Sequence, residues 1–281
     1  MRKVIPDRKM DGSPLRKMLA DLDEDKENGS GHVTYALHLA TGTIPLEGFI
    51  ANEFTLRFTG AKTCISCRKR VKKFYGQGTC YPCFRDAPEA SPCIIRPELC
   101  CAHLGEGRDV QWELDHHMQE HIVYLSYTGN LKVGVTRSTQ VPVRWIDQGA
   151  VLAVPIARVP YRQLAGAIEV DLKRLFSDRT DWRKMLRPIG PGEGEGDLEE
   201  ARAKAIAQAD PTSAKYMLPE EPLVHLQYPL PPVPPKLVSV QLDKLPEISG
   251  RLLGIKGQYL VWSDGRVLNV RNHTGFHVEV G

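Results

Sequence analysis

Two pairs of cysteines are the residues of this chain whose spacing most clearly supports chemistry. Two residues separate Cys64 from Cys67, two separate Cys80 from Cys83, and twelve lie between the pairs. Each pair places two thiolates within reach of one ion, and a short hairpin can bring the pairs together as a tetrahedral site. Four thiolates leave no open position for water, so the spacing predicts a structural zinc ion. Unliganded or redox cysteines are the alternative, although random cysteines seldom pair in this way.

The insert between the two pairs is strongly basic. Five of the six residues from position 68 to 73 are cations, namely Arg68, Lys69, Arg70, Lys72 and Lys73. At the tip of a metal-held hairpin these cations predict contact with a polyanion, most often nucleic acid. The alternative interpretation is a solvated charged face, which is the usual state of a run of charges.

Three further cysteines leave two interpretations open. Cys93, Cys100 and Cys101 lie downstream of the first group, and His103 follows two residues later. A second metal site would use Cys93, one or both of the adjacent cysteines, and His103. Small buried residues under a loop are the other interpretation, and both agree with the sequence.

Composition limits the class of protein. The chain has 281 residues, 42% of them hydrophobic, and a formal net charge of only +3, so any basic character is local. It shows no apolar leader and no long apolar run, which predicts neither a signal peptide nor a membrane span. Its seven cysteines lie between positions 64 and 101, and an odd, clustered set favours reduced thiols and a cytoplasmic location. The oligomeric state is left open.

The pattern of segments predicts an α+β protein that positions these residues in successive modules. Alternating residues at 33–37 and 54–58 predict strands that lead into the cysteines, and short apolar runs between glycines predict strands near the end of the chain. The expected modules are a polar arm at 1–31, a β-rich zinc-ribbon-like module at 32–104, an α+β domain at 105–187, a linker with a helix and a proline-rich stretch at 188–235, and a small β unit at 236–281.

The central segment predicts the order β-β-α-β-α. A helix over 109–121 is expected to place Val110, Leu114 and Met118 on one face, while the histidines at 116, 117 and 121 are expected to be solvated or hydrogen-bonded. Further expected elements are strands at 122–125, 131–135 and 150–156, a helix that Ser138 or Thr139 caps with Pro142 in its first turn, and a helix at 161–176.

Two short motifs in this segment resemble the GIY-YIG nuclease family. Val123-Tyr124 matches the end of the first motif, and Val133-Gly134 matches the end of the second. Arg144 follows in the next helix and Glu169 in a later one, as the family's arginine and glutamate do. Ile122 stands in place of the first motif's glycine, and Lys132 in place of the second motif's tyrosine.

The resemblance implies a phosphodiesterase that acts on DNA or structured RNA with Mg²⁺ or Mn²⁺. It assigns Tyr124 to the attacking water, Arg144 and Lys132 to the phosphate, and Glu169 to the divalent metal, and Arg137 adds a phosphate contact. Taken singly, these residues have ordinary interpretations: Tyr124 as core, Arg144 as a surface cation, and Glu169 as the partner of Lys173 in a helical ion pair.

Segments along most of the chain also resemble an uncharacterised bacterial family of zinc-containing proteins. They are Cys100–Gly105, Arg144–Ala150 and Gly254–Leu260. Together these observations predict a zinc-stabilised nucleic-acid-binding protein with a nuclease-like domain. The alternatives are a non-catalytic module that binds RNA or a ribonucleoprotein, and a protein adaptor.

Overall fold

The computed structural model describes residues 12–25, 30–176, 181–190 and 192–281, and part of the expected arm at 1–31 lies outside them. The protein is a strand-rich α+β protein with two sheets and several helices. The strands are β1 Ser13–Pro14, β2 Leu19–Asp25, β3 Ser30–Leu39, β4 Gly42–Pro45, β5 Glu53–Lys62, β6 His121–Tyr127, β7 Leu131–Arg137, β8 Leu152–Val159, β9 Val224–Gln227, β10 Val238–Ser239, β11 Glu247–Lys256, β12 Tyr259–Trp262, β13 Arg266–Asn269 and β14 Phe276–Val280. The helices are α1 Tyr81–Asp86, α2 Val110–His117, α3 Val143–Asp147, α4 Arg162–Leu172, α5 Trp182–Met185, α6 Glu195–Ala207 and α7 Pro211–Ala214.

The chain divides into two compact units, each built from separate segments. Of the described residues, the first contains those up to Leu19, Tyr35–Tyr81 and Val233–Gly281. The second contains Ala20–Thr34 and Pro82–Pro232. No helix in the described part of the chain has both the length and the apolar character needed to cross a membrane.

One sheet has the strand order β1-β14-β5-β11-β12-β13-β10. Strand β5 lies between β14 and β11 and is antiparallel to both, so Leu56 pairs with Ile248 on one side and with Val280 on the other. Phe54 and Trp262 are fully buried beside this pairing, with ring centroids 6.2 Å apart. The sheet thus joins strand 53–62 to strands from the segment at 236–281, which the sequence pattern had placed in a different module.

The other sheet has the order β2-β3-β9-β8-β6-β7, and β4 pairs with β3. Strand β6 lies between β7 and β8 and is antiparallel to both, so Tyr124 pairs with Gly134 and with Pro155. Val123 and Leu125 belong to a buried cluster that also contains residues of α4 and α6. Along the chain, β6, β7, α3, β8 and α4 follow the expected order of strands and helices.

Two local features of this region did not follow from the sequence pattern. Helix α2 begins where expected, with the Asp109 carboxylate accepting a hydrogen bond from the Trp112 N–H at 3.0 Å. However, Val110, Leu114 and Met118 are all exposed, and the buried face carries polar residues instead. The helix expected to start at Ser138 or Thr139 is a 3₁₀ turn at Ser138–Gln140, and α3 starts only after Pro142. A proline disfavours helical backbone at the residue before it, and Val141 is extended.

Candidate metal centre

The four paired cysteines converge on one point. The sulfur atoms of Cys64, Cys67, Cys80 and Cys83 all lie within 4.8 Å of one another. The Cys67 and Cys80 sulfurs are 3.7 Å apart. A disulfide would bring two sulfurs to about 2.05 Å, whereas two Zn–S bonds of about 2.3 Å at the tetrahedral angle separate them by about 3.8 Å. The donor set and its spacing therefore fit a structural zinc ion.

Backbone geometry prepares Cys64 to act as a thiolate. The chain turns tightly after it, because the Arg68 N–H donates to the Cys64 carbonyl at 2.9 Å and Arg68 adopts a φ of 59°. The Cys80 N–H donates to the Cys64 sulfur at 3.2 Å. Burial opposes ionisation of Cys64, but N–H donors from Cys80, Cys67 and Ser66 outweigh it and lower the pKa of this thiol to about 7.

The basic insert is exposed on the loop between the two cysteine pairs. None of its five cations forms an ion pair with another described residue; they are Arg68, Lys69, Arg70, Lys72 and Lys73, and all five are exposed. The sequence contains no acidic residue between Glu53 and Asp86, so no nearby carboxylate of this segment offsets their charge.

Two exposed tyrosines border this loop. Tyr75 and Tyr81 pack edge to face with ring centroids 5.2 Å apart, and more than half of the Tyr81 surface is exposed. The Lys73 ammonium lies 5.1 Å from the centre of the Tyr75 ring. The loop thus combines cations with aromatic faces that solvent can reach, a combination that suits both phosphates and bases.

A second group of four ligand atoms lies downstream, and its membership differs from the sequence-based interpretation. Cys93, Cys100, Glu113 and His117 place one ligand atom each within 4.8 Å of the others, and all four are buried. His117, which was expected to be solvated or hydrogen-bonded, is 3% exposed, and its ring nitrogen contacts the Glu113 carboxylate.

The other two candidate ligands that the sequence offers for a second site lie outside this group. Cys101 is exposed, and the His103 ring stacks on Tyr161 with centroids 5.3 Å apart. Glu113 and His117 gave one usable signal in the sequence, because residues four apart on a helix share a face. Sequence distance concealed that Cys93 and Cys100 would meet this face.

The residues compared with the GIY-YIG family lie in and around strand β6. Tyr124 is fully buried beside Trp145, with ring centroids 6.0 Å apart. Burial raises the pKa of the Tyr124 hydroxyl, which the Arg144 charge opposes and the Glu169 charge reinforces. Glu169 is buried, and its carboxylate lies 3.4 Å from the Lys173 ammonium.

Two expected phosphate-binding cations lie on strand β7. Lys132 is opposite Ser126, two residues along the ladder from the pairing of Tyr124 with Gly134. Arg137 ends the strand opposite His121, and both cations are partly exposed. Tyr124 is thus within electrostatic range of both Arg144 and Glu169, while Lys132 and Arg137 lie on the neighbouring strand.

These features define a mixed α+β protein with a candidate cysteine metal centre and a basic loop. The chain belongs to the family described as protein of unknown function (DUF2797), whose model matches residues 51–278. No curated protein and no solved structure matches the chain.

Proposed function

We propose that the protein binds nucleic acid through the loop that the four-cysteine centre holds. The observation that carries this proposal is the set of five exposed cations at 68–73, none of which forms an ion pair with another described residue. Arginine and lysine that neutralise phosphates release counterions, and this release drives binding. Tyr75 and Tyr81 supply aromatic faces on which unpaired bases can stack, which favours single-stranded or looped targets.

The test is a salt titration of binding. Fluorescence anisotropy with a labelled single-stranded RNA, a single-stranded DNA and a DNA duplex gives the slope of log K against log salt concentration. Each lost phosphate contact lowers the magnitude of the slope by about 0.7–0.9. Replacing Lys69 and Lys72 together with alanine is therefore expected to lower it by about 1.5 and to weaken binding to every sequence.

A matched control removes two positive charges from residues outside the 68–73 loop. Lys236 and Arg251 are exposed in the same compact unit, and Arg251 pairs with Glu53 at the end of β5 opposite Lys62, so their double alanine variant removes the same charge away from the loop. Equal losses in the two double variants would mean that only net charge matters. No binding by the zinc-loaded protein at low salt would reject the proposal in favour of a protein adaptor.

Cleavage of the bound strand is the second candidate function. Its support is the electrostatic coupling of Tyr124 with Arg144 and Glu169, together with the order of strands and helices from β6 to α4. A divalent metal at Glu169 fits less well: the carboxylate faces Lys173, and Glu169 is in neither group of three or more ligand atoms among the described residues. We therefore derive no step through Mg²⁺ or Mn²⁺.

The same substrates test cleavage directly. Incubation with and without Mg²⁺ or Mn²⁺ is followed on a denaturing gel, with Arg144→Ala and Glu169→Gln as variants. A nuclease that uses this site loses cleavage in both variants and retains binding. Cleavage that persists in both would move the activity away from these residues, and binding without cleavage would favour the non-catalytic module.

A further inference from the structure

The geometry points to a second structural zinc site, formed by Cys93, Cys100, Glu113 and His117. The His117 Nδ1 lies 3.4 Å from the Cys100 sulfur and 4.0 Å from the Cys93 sulfur. A Glu113 carboxylate oxygen lies 3.9 Å from the Cys93 sulfur and contacts His117. Sulfur, nitrogen and oxygen ligands at about 2.0–2.3 Å from a tetrahedral zinc ion are about 3.3–3.8 Å apart, so shifts of about 1 Å or less complete the site.

The segment that carries the two cysteines has only a small apolar core of its own. It consists of four 3₁₀ turns, at Pro88–Ala90, Pro92–Ile94, Pro97–Leu99 and Ala102–Leu104. Its buried apolar cluster contains only Cys93, Cys100 and Ala102 among the described residues. Segments with so small a core commonly depend on a metal for their fold, because metal binding contributes folding free energy.

The charges at this point balance once a zinc ion is bound. Two thiolates and one carboxylate carry three negative charges, and burying them without compensation is costly. A zinc ion and the Arg162 guanidinium supply three positive charges. The guanidinium donates to the Cys93 carbonyl at 2.9 and 3.0 Å and to the Ile94 carbonyl at 2.9 Å, so it is fixed beside the group.

The surroundings resemble those that orient metal ligands. The Ser91 hydroxyl lies 3.1 Å from the Cys93 sulfur, where it can donate to a thiolate. Helix α2 presents Glu113 and His117 four residues apart, and both side chains are about 3% exposed. Since the four protein ligands are all buried, the site has no open position for substrate, and its role is to fasten the 3₁₀ segment to α2.

Metal stoichiometry tests this inference, which does not rest on nucleic-acid binding. The full chain, purified under reducing conditions and dialysed against zinc-free buffer, is analysed by mass spectrometry of its metal content. Two zinc ions per chain are expected. One or none in the wild-type protein would overturn the proposal without any variant.

Variants then assign the second ion. Cys93→Ser and Glu113→Gln are each expected to lower the content from two ions to one, and combination with Cys64→Ser lowers it further to none. The matched controls are Cys101→Ser and His103→Gln, which remove neighbouring ligand types outside the group and should retain two ions. Circular dichroism checks that each variant is folded, and two ions retained in folded Glu113→Gln and Cys93→Ser proteins would overturn the assignment.

Cobalt substitution provides a readout of ligand type. The intensity of the sulfur-to-cobalt charge-transfer band scales with the number of thiolates bound to the metal. The Cys64→Ser protein keeps the second site, which has two thiolates. Its band should therefore have about half the intensity expected of a four-thiolate centre. Loss of this band in the Cys64→Ser, Cys93→Ser double variant supports the proposal. An unchanged band in that variant contradicts it.

Discussion

At the scale of single residues, Lys256 is an example of a charge that the fold buries at a cost. Its side chain lies at the end of β11 and is 5% exposed. Burial lowers the pKa of its ammonium to about 8, from 10.5 in the unfolded chain. Below pH 8 the group is protonated in both states, so the folded state carries the full penalty. Between pH 8 and 10.5 only the unfolded state binds the proton, and stability rises with pH.

Lys256→Met is therefore expected to stabilise the protein at pH 7, by up to about 3 kcal/mol. The gain should shrink through pH 8–10.5 and vanish above it, as measured by urea unfolding at a series of pH values. Lys244→Met is the control, because Lys244 is exposed in the same unit. A gain that is constant across this pH range would mean that packing, rather than charge, causes the difference in stability between the wild-type and Lys256→Met proteins.

The sequence predicted candidate metal ligands correctly where these residues are close together in the chain. The spacing of Cys64, Cys67, Cys80 and Cys83 predicted a group that does converge. The cysteine spacing did not identify Glu113 and His117 as candidate ligands. A glutamate and a histidine on one helix face cannot be told from an ordinary polar face until the residues that pack against them are known. Periodicity placed Val110, Leu114 and Met118 on one face of α2, but it cannot tell whether that face is buried, and all three are exposed.

At the scale of elements, helix α4 and the 3₁₀ segment before it meet at a glycine. A Cβ atom at Gly166 would lie 2.2 Å from the Glu98 backbone nitrogen and 2.4 Å from the Pro97 carbonyl carbon. These are backbone atoms, so the contact can be relieved only by moving the segment. Gly166→Ala is expected to destabilise the protein by about 1–3 kcal/mol despite the better helix propensity of alanine, as measured by urea unfolding with zinc present.

Gly196→Ala is the matched control, because Gly196 also lies in a helix and a Cβ there meets nothing within 4 Å. It should stabilise α6 by about 0.4–1 kcal/mol. If both variants stabilise the protein, the close packing of the 3₁₀ segment on α4 is not maintained in solution.

Local sequence signals predicted where helices and strands begin and end better than they predicted which strands pair with each other. The expected strands at 122–125 and 131–135 lie inside β6 and β7, where a glycine turn at Gly129 fixes the hairpin. The helix expected at 161–176 is shorter, at Arg162–Leu172. By contrast, nothing local predicts that β5 pairs with β11 and β14, because that pairing joins strands about two hundred residues apart.

At the scale of the whole molecule, this long-range pairing decides which pieces of the chain can fold alone. Strand β14 has two neighbours in its sheet, β1 and β5, and both come from the beginning of the chain. Strand β11 bonds to β5 along Glu247–Arg251. The segment at 236–281 was expected to be a small β unit, yet β5 supplies the strand between two of its own strands.

A fragment of residues 236–281 is therefore expected to lack a cooperative fold, because β11 and β14 lose the strand that joins them and expose their apolar faces. Amide NMR dispersion and thermal unfolding by circular dichroism measure this directly. Residues 51–63, which include β5, joined to the fragment by a flexible linker should restore dispersion, and the same linker with a scrambled 51–63 sequence should not. A fragment 236–281 that unfolds cooperatively by itself would show that β11 to β14 form an independent unit, and the pairing with β5 would then contribute little to its stability.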